Sequence, residues 1–291
     1  MNKLTPERRI AVVQALVEGT SIRATCRMTG TAKGTVLRLL AEIGAACSQF
    51  HDRTVRNIAA KRLQADEIWS FCHAKARNVP AHLEGKPGIG DLWTWVALDA
   101  DTKLAITYLV GQRDAGEATV FMRDLVSRLA RRPQLTTDGF PGYLQAVEEA
   151  FGWNGVDYAM LIKQYGAGHE TDRGYSPPVC TGAIKTWVMG KPVESDVSTS
   201  YVERQNLTMR MQMRRFTRLT NAFSKKAENH AHAVALHFAH YNFCRPHMTL
   251  TRAAKGIYRT PAMAAGLTNH MWRVADLVAL MDQKADQKSA S

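Results

Sequence analysis

The sequence has few cysteines and no long apolar run, and each absence argues against a class of protein. The cysteines number five, are widely spaced and form no C-x-x-C pair, so neither a disulfide framework nor a cysteine zinc site is expected. No run approaches the roughly 18 apolar residues of a membrane span. Charged residues at positions 7–9 stand where a signal peptide would turn apolar. We therefore expect a cytoplasmic protein without a membrane partner.

Positive charge is in excess, and it is unevenly distributed. The chain has 38 lysines and arginines against 26 acidic residues, a formal net charge of +12 over 291 residues. Residues 1–63 carry +7, residues 64–200 carry −4, and residues 201–291 carry +9. This distribution is expected if both ends bind a polyanion while the centre performs carboxylate chemistry, although surfaces that simply differ would also produce it. The length and the 45% of hydrophobic residues suffice for about two domains with real cores.

Three helices are predicted within residues 1–50. Thr5 can cap the first helix and Ser21 the second, while Thr31 or Thr35 can start the third. A glycine-marked turn between the second and third helices is typical of a helix-turn-helix domain. A basic linker or connecting helix at 51–63 follows.

The third helix is the candidate for reading DNA in the major groove. Trihelical units also serve as protein-docking modules, but the local charge of +7 favours DNA. Thr31, Lys33, Thr35 and Arg38 would be offered to the DNA, with Arg23 and Arg27 near phosphates.

The central part of the chain changes to a pattern of strands and helices. Three runs rich in aromatic and β-branched residues, at 65–72, 92–98 and 103–110, predict strands, and the short turn between the last two favours an antiparallel meander. Helical spacing at 117–131, a strand at 134–137, a helix at 143–151 and a strand at 156–162 follow. We therefore predict a mixed α/β sheet covered by helices, in a domain spanning 64–215.

Residues 164–197 interrupt this pattern with many glycines and prolines. They predict an insertion, with a hairpin around 179–189. A helix then begins at Thr199 or Ser200 and places Glu203, Arg210 and Arg214 on one face. Residues 216–291 form a basic helical C-terminal region, including a helix over 229–243. A basic series in this part of the chain is suited to binding a phosphate backbone, although an ordinary solvated helix face would also explain it. The series is Arg214, Arg215, Arg218, Lys225 and Lys226.

Three carboxylates are candidates for chemistry, and each has a plainer alternative. Asp138 follows a short strand, where ligands bind in α/β sheets, but Asp-Gly is also an ordinary turn. Alternation in the first strand places Asp66 on the face away from Trp69. Glu203 fits a capping box with Ser200 as well as it fits a catalytic role.

The order Asp66, Asp138, Glu203 on strand, strand end and helix resembles the DDE transposases of bacterial insertion sequences, in particular the group named after the first insertion sequence. The resemblance also rests on STSYVERQNLTMR, FSKK, HYNFCRPH and TPAMAAG, and it covers about Ala65 to Leu280. It implies an RNase H-like core in which the three carboxylates bind the catalytic metal, with Arg245 and His247 near DNA. Some relatives carry an N-terminal cysteine zinc motif that this chain lacks, which leaves the helix-turn-helix as the candidate for binding element ends.

The implied chemistry is cleavage of a phosphodiester followed by strand transfer. Two Mg²⁺ ions, with Mn²⁺ as a possible substitute, would stabilise charge on the attacking and leaving oxygens. The expected partners are double-stranded DNA, at the element ends and at the target, and further copies of the chain on that DNA. Predicted DNA contacts at the second half of the chain are Arg204, Arg210, Arg214, Arg215, Arg245 and His247. The competing functions are a non-enzymatic helix-turn-helix regulator and an RNase H-like nuclease or integrase without transposition.

Overall fold

The computed structural model describes residues 4–166, 179–217 and 221–289. Residues 167–178 of the predicted insertion and Arg218 of the basic series lie outside the described residues. In the described part of the chain, no helix combines the length and the apolar character that a membrane span requires.

Three helices open the chain, as predicted: α1 (Pro6–Val17), α2 (Ile22–Thr29) and α3 (Lys33–Thr54). The Thr5 hydroxyl accepts from the Arg8 amide at 3.4 Å, and the Ser21 hydroxyl accepts from the Ala24 amide at 3.2 Å. Gly30 ends α2 with a φ of 61°, a left-handed conformation that favours glycine. The first two predicted caps are thus confirmed.

The start of α3 differs from the prediction. Neither Thr31 nor Thr35 is the N-cap; Ala32 is, without a side-chain hydrogen bond. Thr31 is buried and its hydroxyl donates to the Thr29 carbonyl at 3.3 Å, so it cannot reach DNA. The Thr31 hydroxyl therefore forms a hydrogen bond to the backbone before it and does not cap the start of α3.

A six-stranded mixed sheet forms the centre of the molecule, and it confirms the predicted fold class. The strand order is β3-β2-β1-β4-β5-β6. Strands β1, β2 and β3 form the predicted antiparallel meander, β1, β4 and β5 are parallel, and β6 is antiparallel to β5. The strands are β1 (Arg62–Cys72), β2 (Gly90–Asp99), β3 (Ala105–Gly111), β4 (Gln134–Thr137), β5 (Asp157–Tyr165) and β6 (Cys180–Met189).

The predicted insertion is in part a strand of the main sheet. Residues 180–189 do not form a separate hairpin; they are β6, which pairs with β5 along most of its length. An edge strand exposes both faces, so β6 shows no alternation of apolar and polar residues by which it could be recognised.

Helices cover both faces of the sheet. Two of them pack on one face around Trp95 and Phe121, and two others pack on the opposite face around Ile68 and Phe238. The covering pairs are α4 (Ala115–Ser127) with α5 (Gly142–Phe151), and α6 (Ser200–Gln212) with α7 (Ala227–Ala239); α8 (Met248–Ala253), α9 (Pro261–Ala264) and α10 (Val274–Ser289) follow. A π-helical turn, His240–Cys244, extends α7 at its C-terminal end.

The N-terminal helices share a hydrophobic core with the C-terminal region. Leu40 and Ile43 of α3 pack with Leu236 of α7 and Leu277 of α10. Arg9 of α1 donates to both carboxylate oxygens of Asp282 at 2.9 and 3.2 Å. Helix α3 runs across the predicted boundary at residue 50, and β1 begins at Arg62; the domain boundaries themselves stay predictions.

Candidate active site

Two neighbouring parallel strands bring Asp66 and Asp138 together. Strands β1 and β4 pair up to Ala65 and Thr137, which are partners in the register. Asp66 and Asp138 are the next residues on each strand, so both lie where the pairing stops. Because partners on in-register parallel strands lie side by side, the carboxylates of Asp66 and Asp138 meet where β4 ends.

Helix α6 brings Glu203 to the same edge. The amides of Tyr201 and Val202, in its first turn, donate to the Gln64 side-chain oxygen at 2.8 and 3.1 Å. Gln64 lies two residues before Asp66 on β1. One glutamine therefore satisfies the start of α6 and fixes it against the strand that carries Asp66.

The capping-box alternative for Glu203 is wrong. Its carboxylate accepts from the Thr199 hydroxyl and pairs with the Lys163 ammonium from β5. Gln64 already satisfies the helix start, so Glu203 is available to the pocket. Arg214, predicted on the same face as Glu203, lies beyond the end of α6 in a 3₁₀ turn.

A pocket of 580 Å³ collects these side chains. Asp66, Glu67 and Asp138 each offer a carboxylate oxygen within 4.8 Å of the others. Glu203 faces the same pocket from α6, and Leu161 and Ile162 of β5 line its wall. The remaining polar and charged lining residues are Arg113, Lys163, Tyr165, Thr199, Asn206 and Arg210.

The electrostatics of the pocket favour a bound cation. Burial, together with the charges of Glu67 and Asp138, raises the pKa of Asp66 to about 7. A cation beside these carboxylates would offset both effects.

Asn206 supplies a further observation. Its amide nitrogen donates to Asp66 at 2.8 Å, while its buried oxygen has no hydrogen-bond partner among the described residues. A buried, unpaired amide oxygen next to carboxylates fits the oxygen ligands that Mg²⁺ and Mn²⁺ take. The donor set therefore fits a divalent metal.

Eight of the predicted DNA contacts fall into three groups. Arg210 lines the carboxylate pocket itself. Arg23, Lys33, Arg214 and Arg215 line a second groove of 780 Å³ between the N-terminal helices and the start of α7. Arg204, Arg245 and His247 form the third group. Burial is the main cause that lowers the pKa of His247, and the nearby charges of Lys103, Arg204 and Arg245 lower it further.

Exposure differs among the predicted contacts of the N-terminal unit. Arg23, Arg27, Lys33 and Arg38 are exposed, and Thr35 is half-buried. Arg215 is less accessible than predicted, since its guanidinium donates to the Ser224 hydroxyl at 2.8 Å and burial lowers its pKa to about 10.

The sequence patterns did not predict several polar residues of the site: Asn206, Lys163 and Arg113, which line the pocket, and Tyr143, which donates to Glu67. Asn206 follows Glu203 by three positions on a helix, so their shared face was a usable signal. Lys163, Arg113 and Tyr143 reach the site from other elements, and no local pattern marks them. Glu67 follows Asp66 directly in the sequence, but the resemblance does not include it.

The chain matches no known family, and no curated protein matches its sequence. Solved structures that resemble it include the Mos1 strand transfer complex, at 15% identity and a TM-score of 0.24, over 54% of this chain and 59% of that one. The Mos1 mariner paired end complex with Mn has 15% identity and a TM-score of 0.22, over 52% and 58%. The piggyBac transposase synaptic complex with hairpin DNA has 10% identity and a TM-score of 0.38, over 98% and 75%.

The chain thus covers less than two thirds of the length of the Mos1 chains. At such identities and scores the likeness concerns the fold alone, and the DNA and the Mn of those complexes belong to those proteins.

Proposed function

We propose that this protein is a DNA transposase of the DDE type. It would bind the ends of a mobile DNA element, cleave a phosphodiester there and transfer the freed 3′-hydroxyl to a target strand. The observation that carries the proposal is the pocket that Asp66, Asp138 and Glu203 line together from a strand, a strand end and a helix. Three carboxylates from separate elements are the donor set that such chemistry requires.

In this proposal, Asp66, Asp138 and Glu203 hold Mg²⁺, for which Mn²⁺ can substitute. The bound metal supplies an activated nucleophile and stabilises charge on the attacking and leaving oxygens. Asn206 orients Asp66 through its 2.8 Å hydrogen bond. Lys163, which pairs with Glu203, holds that carboxylate at the pocket.

The DNA would lie along the basic surfaces around this pocket. The N-terminal helices would bind the element end through the exposed Arg23, Arg27, Lys33 and Arg38, with Thr35 at the rim. Arg204 and Arg210 lie on α6, and together with Arg245 and His247 they would position the DNA backbone near the carboxylates. A homo-oligomer on DNA belongs to the proposal, because two ends and a target must be held together.

The decisive test compares Asp138→Asn with the wild-type protein on a supercoiled plasmid that carries the DNA flanking the gene. The wild type should nick this plasmid when Mg²⁺ is added. Asp138→Asn should lower nicking at least about 100-fold, because it removes a carboxylate that holds the metal. Both proteins should shift the same DNA equally in a gel assay, since Asp138 lies apart from the N-terminal contacts.

Glu148→Gln is the matched control, because Glu148 is an exposed carboxylate on α5 outside the pocket. This variant should nick like the wild type. Undiminished nicking by Asp138→Asn would refute the site. A wild type that binds the DNA but never nicks it would point to the regulator, and nicking without joining to a target would point to a nuclease.

A further inference from the structure

Glu67 is the fourth carboxylate of the pocket, and its oxygens are already bonded within the protein. Its side chain is 1% exposed. One oxygen accepts from the Arg113 guanidinium and the other accepts from the Tyr143 hydroxyl at 2.9 Å. As the residue after Asp66 on β1, it points to the opposite face of the sheet, where α5 supplies Tyr143. Distance alone would allow Glu67 to be a metal ligand, but its partners hold it on that face.

Arg113 follows β3 and links Glu67 to Asp138. Its terminal nitrogen lies 3.6 Å from an Asp138 oxygen. Its guanidinium also lies 4.3 Å from the centre of the Phe140 ring and 5.0 Å from that of Trp93. Two aromatic rings and a buried carboxylate therefore fix a cation against one of the proposed metal-binding residues.

We infer that Glu67 and Arg113 are a pair of positioning residues for the proposed reaction, in which Glu67 holds Arg113 and not a metal ion. Arg113 cancels the charge of Glu67 and orients Asp138 from one side. Asp66, Asp138 and Glu203 then remain to bind the cation. The inference rests on the proposed function, and it assigns a role to two residues outside the three carboxylates.

The pairing predicts opposite effects of its two members on metal binding. Without Arg113, Glu67 keeps an uncompensated charge that attracts a cation. Without Glu67, the charge of Arg113 acts wholly on Asp138 and competes with the metal. Removing both restores the net charge of the pocket.

Mn²⁺ alone is the probe, and its binding to the full chain is measured by electron paramagnetic resonance without DNA. Arg113→Gln should tighten Mn²⁺ binding about tenfold and Glu67→Gln should weaken it about tenfold, the size typical of residues that act through a ligand. The double variant should return to within about threefold of the wild type. Asp66→Asn should lose binding. Circular dichroism melting curves establish that each variant is folded.

The exposed pair Arg123 and Glu149, 3.5 Å apart on α4 and α5, provides a matched control cycle. Neutralising either member should leave Mn²⁺ binding unchanged. If Glu67→Gln and the double variant both lose binding as Asp66→Asn does, Glu67 is itself a ligand and the inference is overturned while the proposed function stands. A wild type that binds no Mn²⁺ would overturn both.

Discussion

Each acidic side chain of the pocket has a polar or charged partner within the protein. Asp66 bonds to Asn206, Glu203 pairs with Lys163, and Asp138 and Glu67 share Arg113. Such partners hold carboxylates in place before a cation arrives, since they limit both repulsion and rotation. At the scale of the residue, the pocket is organised by neutral and cationic groups as much as by its acids.

Gln64→Met tests whether one glutamine sets the start of α6. Methionine has a similar volume, but it leaves the amides of Tyr201 and Val202 without their acceptor. We expect the free energy of unfolding to fall by about 1–3 kcal/mol, measured by urea denaturation. Gln145→Met, at an exposed position of α5, should change stability by less than about 0.5 kcal/mol. Equal stability of the two variants would contradict this role of Gln64.

At the scale of the element, periodicity and turn chemistry predicted most of the fold. The strand at 134–137 coincides with β4, and the caps at Thr5 and Ser21 are where the pattern placed them. A hairpin was predicted around 179–189, but the place of β6 in the main sheet was missed because an edge strand carries no burial pattern. The full length of α3 was missed because its apolar face is covered by distant elements.

The site was predictable only in part, for a related reason. The strand patterns predict the positions of Asp66 and Asp138. The helix face that Asn206 shares with Glu203 could have predicted Asn206 as well. Arg113 and Glu67 are 46 positions apart, and their contact depends on the fold of the whole sheet. Local rules contain no information on such pairs.

Gly44→Ala tests the crossing of α3 and α7. A Cβ at this position would lie 2.5 Å from the Cβ of His232, so the helices would have to separate. We expect a loss of about 1–3 kcal/mol in stability despite the better helix propensity of alanine, measured by urea denaturation. Gly34→Ala lies on the same helix with no described atom within 4 Å of the added carbon. It should leave stability unchanged or raise it by up to about 1 kcal/mol; a Gly44→Ala protein as stable as this control would show that the crossing is not tight.

At the scale of the whole molecule, the two basic ends of the sequence meet in space. Helices α1, α2 and α3 pack on α7 and α10, so the segments with charges of +7 and +9 share one side of the protein. Arg23 and Lys33 from the first segment and Lys225 and Lys226 from the last line the same groove.

Buried histidines should make the whole fold sensitive to acid. Burial is the main cause that lowers the pKa of His51 to about 4 and those of His230 and His237 to about 3. Because these values lie below the 6.5 of an unfolded histidine, the unfolded chain binds protons first as the pH falls. The stability that these histidines contribute is therefore fully present above pH 6.5; it is lost as the pH falls from 6.5 towards 4 for His51 and towards 3 for His230 and His237. Each histidine should cost about 1 kcal/mol at pH 5.5.

His51→Gln isolates one of these contributions, since glutamine can still donate to the Ile106 carbonyl that His51 contacts at 2.9 Å. Urea denaturation at pH 7.5 and 5.5 should show a smaller acid loss for this variant than for the wild type. Asp66 has the opposite effect, because its raised pKa stabilises the fold in acid. Both proteins contain Asp66, so its contribution cancels when the acid loss of the variant is subtracted from that of the wild type. His82→Gln, at an exposed position, should keep the wild-type loss; an unchanged loss in His51→Gln would contradict the assignment.

The core shared by α3, α7 and α10 has a consequence for the protein during its synthesis. Arg9 and Asp282, which join α1 to α10, are 273 positions apart. A ribosome releases the N-terminal helices long before it makes the surface that covers them. The nascent chain therefore carries basic helices whose apolar face is still open, and they acquire their final packing only when the last helix has emerged. A chain cut short by a premature stop would lose this packing, so an incomplete copy would be a poor competitor for the DNA that the full chain is proposed to bind.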